Sequence, residues 1–169
     1  FWVYVIGSLA LAGVVPFAGF WSKDEILASA WEMNSWNGWL VFGLLIVAAF
    51  FTAFYMGRQV FMVFFGGERT AAAEHAHESP AVMTMPLIFL AVLSLIGGAM
   101  NLPKLEWLGQ WIEKTVEVKP VEFQFAVAGI STVVALLAIG LSYLVYGQKP
   151  MVTMADPLES MGRLFRFLN

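Results

Sequence analysis

Lys23 and Asp24 stand side by side in the run PFAGFWSKDEI, just after a proline and a glycine in the first long apolar stretch. An amine and a carboxylate beside a helix break, inside a very hydrophobic chain, is a pattern with which membrane proteins hold and move ions. Ser22 and Glu25, three residues apart, form a capping-box pair, and Trp21 with Ile26 completes a hydrophobic staple. A half-helix is therefore expected to begin at Lys23. Pro16 has no N–H to give the carbonyl of Ala12 and crowds it, so the preceding helix should end near Val15. Pro16 to Phe20, with Gly19 inside, is then a short extended link. In a first turn the helix end favours Asp24 and Glu25 and disfavours an ammonium, whereas Asp24 favours the charged form of Lys23. A lysine held between these influences exchanges its proton at accessible cost, as a proton relay requires. The expected site is thus Lys23 and Asp24 for proton translocation, Pro16 and Gly19 for the break, and Ser22 and Glu25 for the cap.

The elements that position this pair follow from composition. At 60% apolar and 12% charged residues, with a mean hydropathy of +0.76, the chain exceeds the apolar content of soluble domains, and lipid must be much of its solvent. A net charge of −3 gives no footprint for nucleic acid or for an anionic-lipid anchor. There is no cysteine, which excludes disulfides, thiolate nucleophiles and cysteine-held clusters. Phe1 already lies in an apolar segment without a preceding Met or basic region, so the sequence reads as a fragment.

Four apolar blocks occupy about 1–36 (broken near 16–22), 39–65, 83–100 and 123–146. The last three match the roughly 20 residues that cross a bilayer core. Trp36, Trp39, Trp107, Trp111, Tyr143 and Tyr146 flank the blocks as interface residues, and Gly43, Gly97, Gly98, Gly129 and Gly140 offer close helix approach. The expected fold is an all-α integral membrane bundle over 1–147, of about four spans, the first discontinuous. An interfacial helix is expected at about 104–117, and an amphipathic or connecting segment begins in 148–169. Basic residues favour Arg58, Arg69, Lys149, Arg163 and Arg166 on the cytoplasmic side, against Lys104, Lys114 and Lys119 on the other.

The first block allows two readings. With about 1.5 Å per residue, a helix ending near Val15 covers some two thirds of the hydrocarbon and leaves Lys23 at depth. Phe1 to Trp21 also has the length of one complete span, which would put Ser22 to Glu25 in interfacial water. Other polar groups have plainer roles. His75 and His77, two apart in the AEHAHESP connection, read as a solvated loop rather than a metal site. Arg58 reads as snorkelling or ion-paired, and Glu32 as solvated at the interface. Thr52, Ser94, Ser131 and Thr132 read as bonded to backbone carbonyls, the alternative being a hydroxyl or water chain.

The stretch GSLALAGVVPFAGFWSKDEILASAW resembles the hallmark segment of the subunit L family of proton-pumping NADH:quinone oxidoreductase, respiratory complex I, the distal antiporter-like subunit of its membrane arm. TAFYMGRQVFMVFFGG and HAHESPAVMTMPLIFLAVLSLIGG continue the likeness in the family's order. The resemblance implies an antiporter-like bundle, here its C-terminal portion, in a multi-pass protein of a bacterial inner membrane. Its discontinuous helix would carry Lys23 as the protonatable lysine of a half-channel and Asp24 as its acidic neighbour. It also implies that NADH, FMN, iron–sulfur clusters and quinone are handled by partner subunits of the membrane and redox arms. Two rival readings are the large subunit of an Mrp-type sodium/proton antiporter, which has a similar GF-x-SK signature, and a membrane scaffold that transports nothing.

Overall fold

Apolar runs in lipid have no water for their amides, so they close their own hydrogen bonds as helices. The computed structural model describes residues 1–68, 71–75, 77–99 and 123–148, and among these every regular element is helical. They are α1 (Trp2–Ala12), α2 (Ala18–Glu32), α3 (Trp36–Phe64), the short α4 (Ala71–Glu74), α5 (Ala81–Ala99) and α6 (Phe125–Ser142), the last continued by a π-helical turn, Tyr143–Gly147. Three helices, Trp36–Phe64, Ala81–Ala99 and Phe125–Gly147, are long and apolar enough to cross a membrane. The protein is an all-α, multi-pass membrane protein. The interfacial helix expected at 104–117 and residues 149–169 lie outside the described residues.

α3 is the rod against which the rest is measured. Ser35 caps it, Oγ accepting from the Gly38 N–H at 3.2 Å, and its 29 residues extend about 43 Å, the full membrane thickness with headgroups. α1 lies antiparallel along its second half: Tyr4 donates to Gln59 Oε1 at 2.9 Å, and the Phe1 ring meets that of Phe64 at 5.0 Å. α2 continues along the first half, with Trp31 edge-on to Trp39 at 4.5 Å and to Phe42 at 5.2 Å. Between these ends, Ala12, Lys23 and Leu27 face Leu45, Ala48, Ala49 and Thr52. Together α1 and α2 follow one length of α3, and the gap between them falls at its middle. Ser22 to Glu25 therefore lie level with the centre of α3, not with its ends, and the reading of Phe1 to Trp21 as one complete span is corrected.

α6 runs parallel to α3, its start tied to α2 through Gln124 and Glu32 and its end against Phe61 through Tyr143. The core between them is built of alanines: Ala12, Ala53, Ala135 and Ala138 are buried together, walled by Val14, Phe50, Phe54 and Ile139. Small side chains let helix backbones approach where lipid supplies no hydrophobic drive. The glycines expected to do this divide. Gly43, Gly129 and Gly140 face open space, whereas Gly98 of α5 lies against the backbone of Pro16 to Ala18. Gly57, against Ser142, makes the close α3–α6 approach.

Candidate functional site

The site begins with how α1 stops. Gly13 takes the left-handed conformation at φ 71°, its N–H donating to Ala10 O while Val14 N–H donates to Leu9 O, each at 3.1 Å. These two bonds are the Schellman ending, which glycine adopts at little cost. α1 thus ends at Ala12, three residues before the end expected from Pro16. Phe17 N–H closes the following turn onto Val14 O at 3.0 Å, with the Val15–Pro16 peptide cis.

α2 then starts at Ala18, with extended Phe17 as its N-cap, and not at Lys23. Ser22 and Glu25 are consequently not its capping pair. Ser22 sits inside the helix with its hydroxyl turned to Gly19 O at 3.5 Å, and Glu25 is exposed. The cause is burial: Phe17 and Phe20 are enclosed, and packing them draws the helix start upstream of the polar pattern. Gly19 also lies within α2 rather than in the link. Any Cβ there would strike the carbonyl oxygen of Ala10, so its bareness lets the start of α2 cross the end of α1.

The earlier start moves Lys23 into the second turn and reverses its expected electrostatic misfit. Its Nζ donates to Ala12 O at 3.2 Å and to Gly13 O at 3.3 Å, the carbonyl end of α1, where the helix presents partial negative charge. The amine replaces part of the hydrogen bonding that α1 loses by ending inside the bundle. It also borders a cavity of about 180 Å³ between α1, α2 and α3, whose wall includes Ile26, Leu45 and Thr52.

One residue on is about 100° around the helix, so Asp24 points elsewhere. It is 4% exposed, and Oδ1 accepts from the Ser131 hydroxyl of α6 at 2.5 Å. Oδ2 is buried and has no hydrogen-bond partner among the described residues. Lys23 and Asp24 are thus adjacent in sequence but bound to different helices. Ser131, itself fully buried, was not distinguishable from the other span hydroxyls, because its partner lies 107 residues away. Thr52 and Thr132 do return to backbone, donating to Ala48 O at 2.8 Å and to Ala128 O at 2.7 Å.

The remaining polar candidates are accounted for locally. Arg58 stacks its guanidinium over the buried Tyr146 ring at 5.5 Å, a cation–π contact inside the bundle. Glu32 accepts from Gln124 at 3.0 Å. His75 and His77 are exposed, and among the described residues no three His, Cys, Asp or Glu side chains gather as a metal would require. What the arrangement offers chemically is an amine and a carboxyl level with the middle of α3, each held by neutral oxygen groups.

Residues 1–52 match the family described as NADH:quinone oxidoreductase/Mrp antiporter, TM. The chain is 36% identical over 159 residues to NADH-quinone oxidoreductase subunit L of Mycobacterium tuberculosis (strain ATCC 25618 / H37Rv), covering 92% of this chain and 25% of that protein. It is 33% identical over 196 residues to NAD(P)H-quinone oxidoreductase chain 5 of Synechocystis sp., with 86% and 27% covered. To subunit L of Rickettsia bellii it is 44% identical over 100 residues, with 58% and 15% covered. The chain spans about a quarter of the length of the first two relatives.

Proposed function

We propose that this chain, homologous over most of its length to the L and chain 5 subunits of NADH-quinone oxidoreductases, is a portion of a proton-translocating membrane subunit of such a complex. Protons pass through a half-channel at the α1–α2 break, Lys23 takes and releases them, and Asp24 tunes it. The observation that carries this reading is the Lys23 amine itself. It stands opposite the middle of α3, bonded to two backbone carbonyls and bordering a cavity. An ionisable group at such depth is costly and is retained where ions move. An amine bonded to neutral carbonyls changes charge without breaking an ion pair.

In this reading NADH, FMN, iron–sulfur clusters and quinone belong to partner subunits, and the chain's own neighbours are the other membrane-arm subunits and the lipid of a bacterial inner membrane. A second reading, the large subunit of an Mrp-type sodium/proton antiporter, is named beside the oxidoreductase in the description of the family matched over 1–52. The names of the relatives matched over most of the chain favour the oxidoreductase.

The test uses the full-length subunit in the assembled complex. Lys23→Ala is expected to lower proton translocation severalfold per NADH oxidised while the complex still assembles. Unchanged pumping would remove Lys23 from the path.

A further inference from the structure

Ser131 carries one hydroxyl proton and stands before two acceptors. Its Oγ is 2.5 Å from Asp24 Oδ1 and 3.2 Å from the carbonyl oxygen of Ala128, and one proton serves one of them at a time. The shorter contact suits a hydroxyl donating to a carboxylate, for which about 2.5–2.7 Å is usual. Residue 131 is fully buried and Asp24 is 4% exposed, so bulk solvent does not reach either bond.

We propose that Ser131 is a positioning residue that lets Asp24 change protonation without moving. With Asp24 ionised, Ser131 donates to Oδ1. With a proton on Oδ1, the carboxylic O–H donates to Ser131 Oγ, and the serine proton turns to Ala128 O. Serine keeps its own proton throughout, and only the direction of the bond reverses. A buried acid that must serve both states would otherwise be left unpaired in one of them, which costs about 1–3 kcal/mol for a neutral group and more for a charged one. Oδ2, buried and without a partner among the described residues, leaves Oδ1 as the oxygen whose bond is held in both states. This inference rests on the reading of Asp24 as the tuner of Lys23.

The test is a double-mutant cycle in the full-length subunit of the assembled complex, read as protons translocated per NADH oxidised. Ser131→Ala is expected to lower pumping to about the level of Asp24→Asn and no further, with assembly preserved. Ser131→Thr, which restores the hydroxyl, is expected to recover most of it. On an Asp24→Asn background, Ser131→Ala should add nothing, because Asn does not titrate. Normal pumping in Ser131→Ala beside impaired Asp24→Asn overturns the role of Ser131, as does a full further loss on the Asn background. Normal pumping in Asp24→Asn overturns the reading of Asp24 instead, and the two failures are told apart by that single variant.

Discussion

Two adjacent side chains at the break divide the work because a helix turns between them. Lys23 answers to the carbonyls of Ala12 and Gly13, and Asp24 to the hydroxyl of Ser131. Removing the carboxylate charge therefore leaves the amine's own bonds in place. Asp24→Asn is expected to reduce proton translocation less than Lys23→Ala, since Asn still accepts from Ser131. An equal or greater loss, measured in the same assembled complex, would make the carboxylate the carrier. The pair itself was legible in the sequence, because two charges inside a run such as PFAGFWSKDEI have few structural uses in lipid. Their partners were not. Backbone carbonyls carry no residue signature, and Ser131 is one of several hydroxyls on spans whose pairing depends on how distant helices rotate against each other.

The hinge between α1 and α2 is a device of glycine spacing. Gly13 ends the first half-helix at φ 71° beside the Lys23 side chain, so Gly13→Ala meets a conformational penalty of about 1–2 kcal/mol and crowds the amine. Gly19→Ala is the harsher change, since its Cβ collides with the rigid backbone at Ala10. The expected outcome is a modest drop in the thermal midpoint of the complex for Gly13→Ala. For Gly19→Ala, loss of most of the assembled subunit is expected on native gels. Normal assembly of Gly19→Ala would mean the two half-helices do not cross so closely. Pro16 announces this break, but its limits differ from the sequence expectation at both ends, each for its own reason. The Schellman glycine stops α1 before proline needs to, and the burial of Phe17 and Phe20 starts α2 before the polar cap pattern. At the first end one local signal, glycine, acts ahead of another, proline, and at the second tertiary packing overrides the cap pattern.

At the scale of the bundle, the membrane class and the apolar blocks are plain from hydropathy, whereas the depth of the site is not. Phe1 to Trp21 has the length of a whole span, and only the path of α1 and α2 along α3 places the gap at the centre. Water access to the cleft beside Lys23 is what would tell a transporting subunit from a scaffold. This stretch has no cysteine, so a cysteine placed in it is read against the labelling of the unsubstituted protein. Thr52→Cys, on the cavity wall, is expected to react with small polar thiol reagents in membranes, and Ala135→Cys, fully buried in the α3–α6 seam, is not. No reaction at position 52 would favour the scaffold. The central position of the break also has an electrical meaning. Carrying one charge fully across costs about 2.3 kcal/mol for every 100 mV, and a stop halfway splits that climb into two steps of roughly equal height. If Lys23 carries protons as proposed, one that loads the amine from one compartment will have met about half the opposing voltage before it leaves for the other.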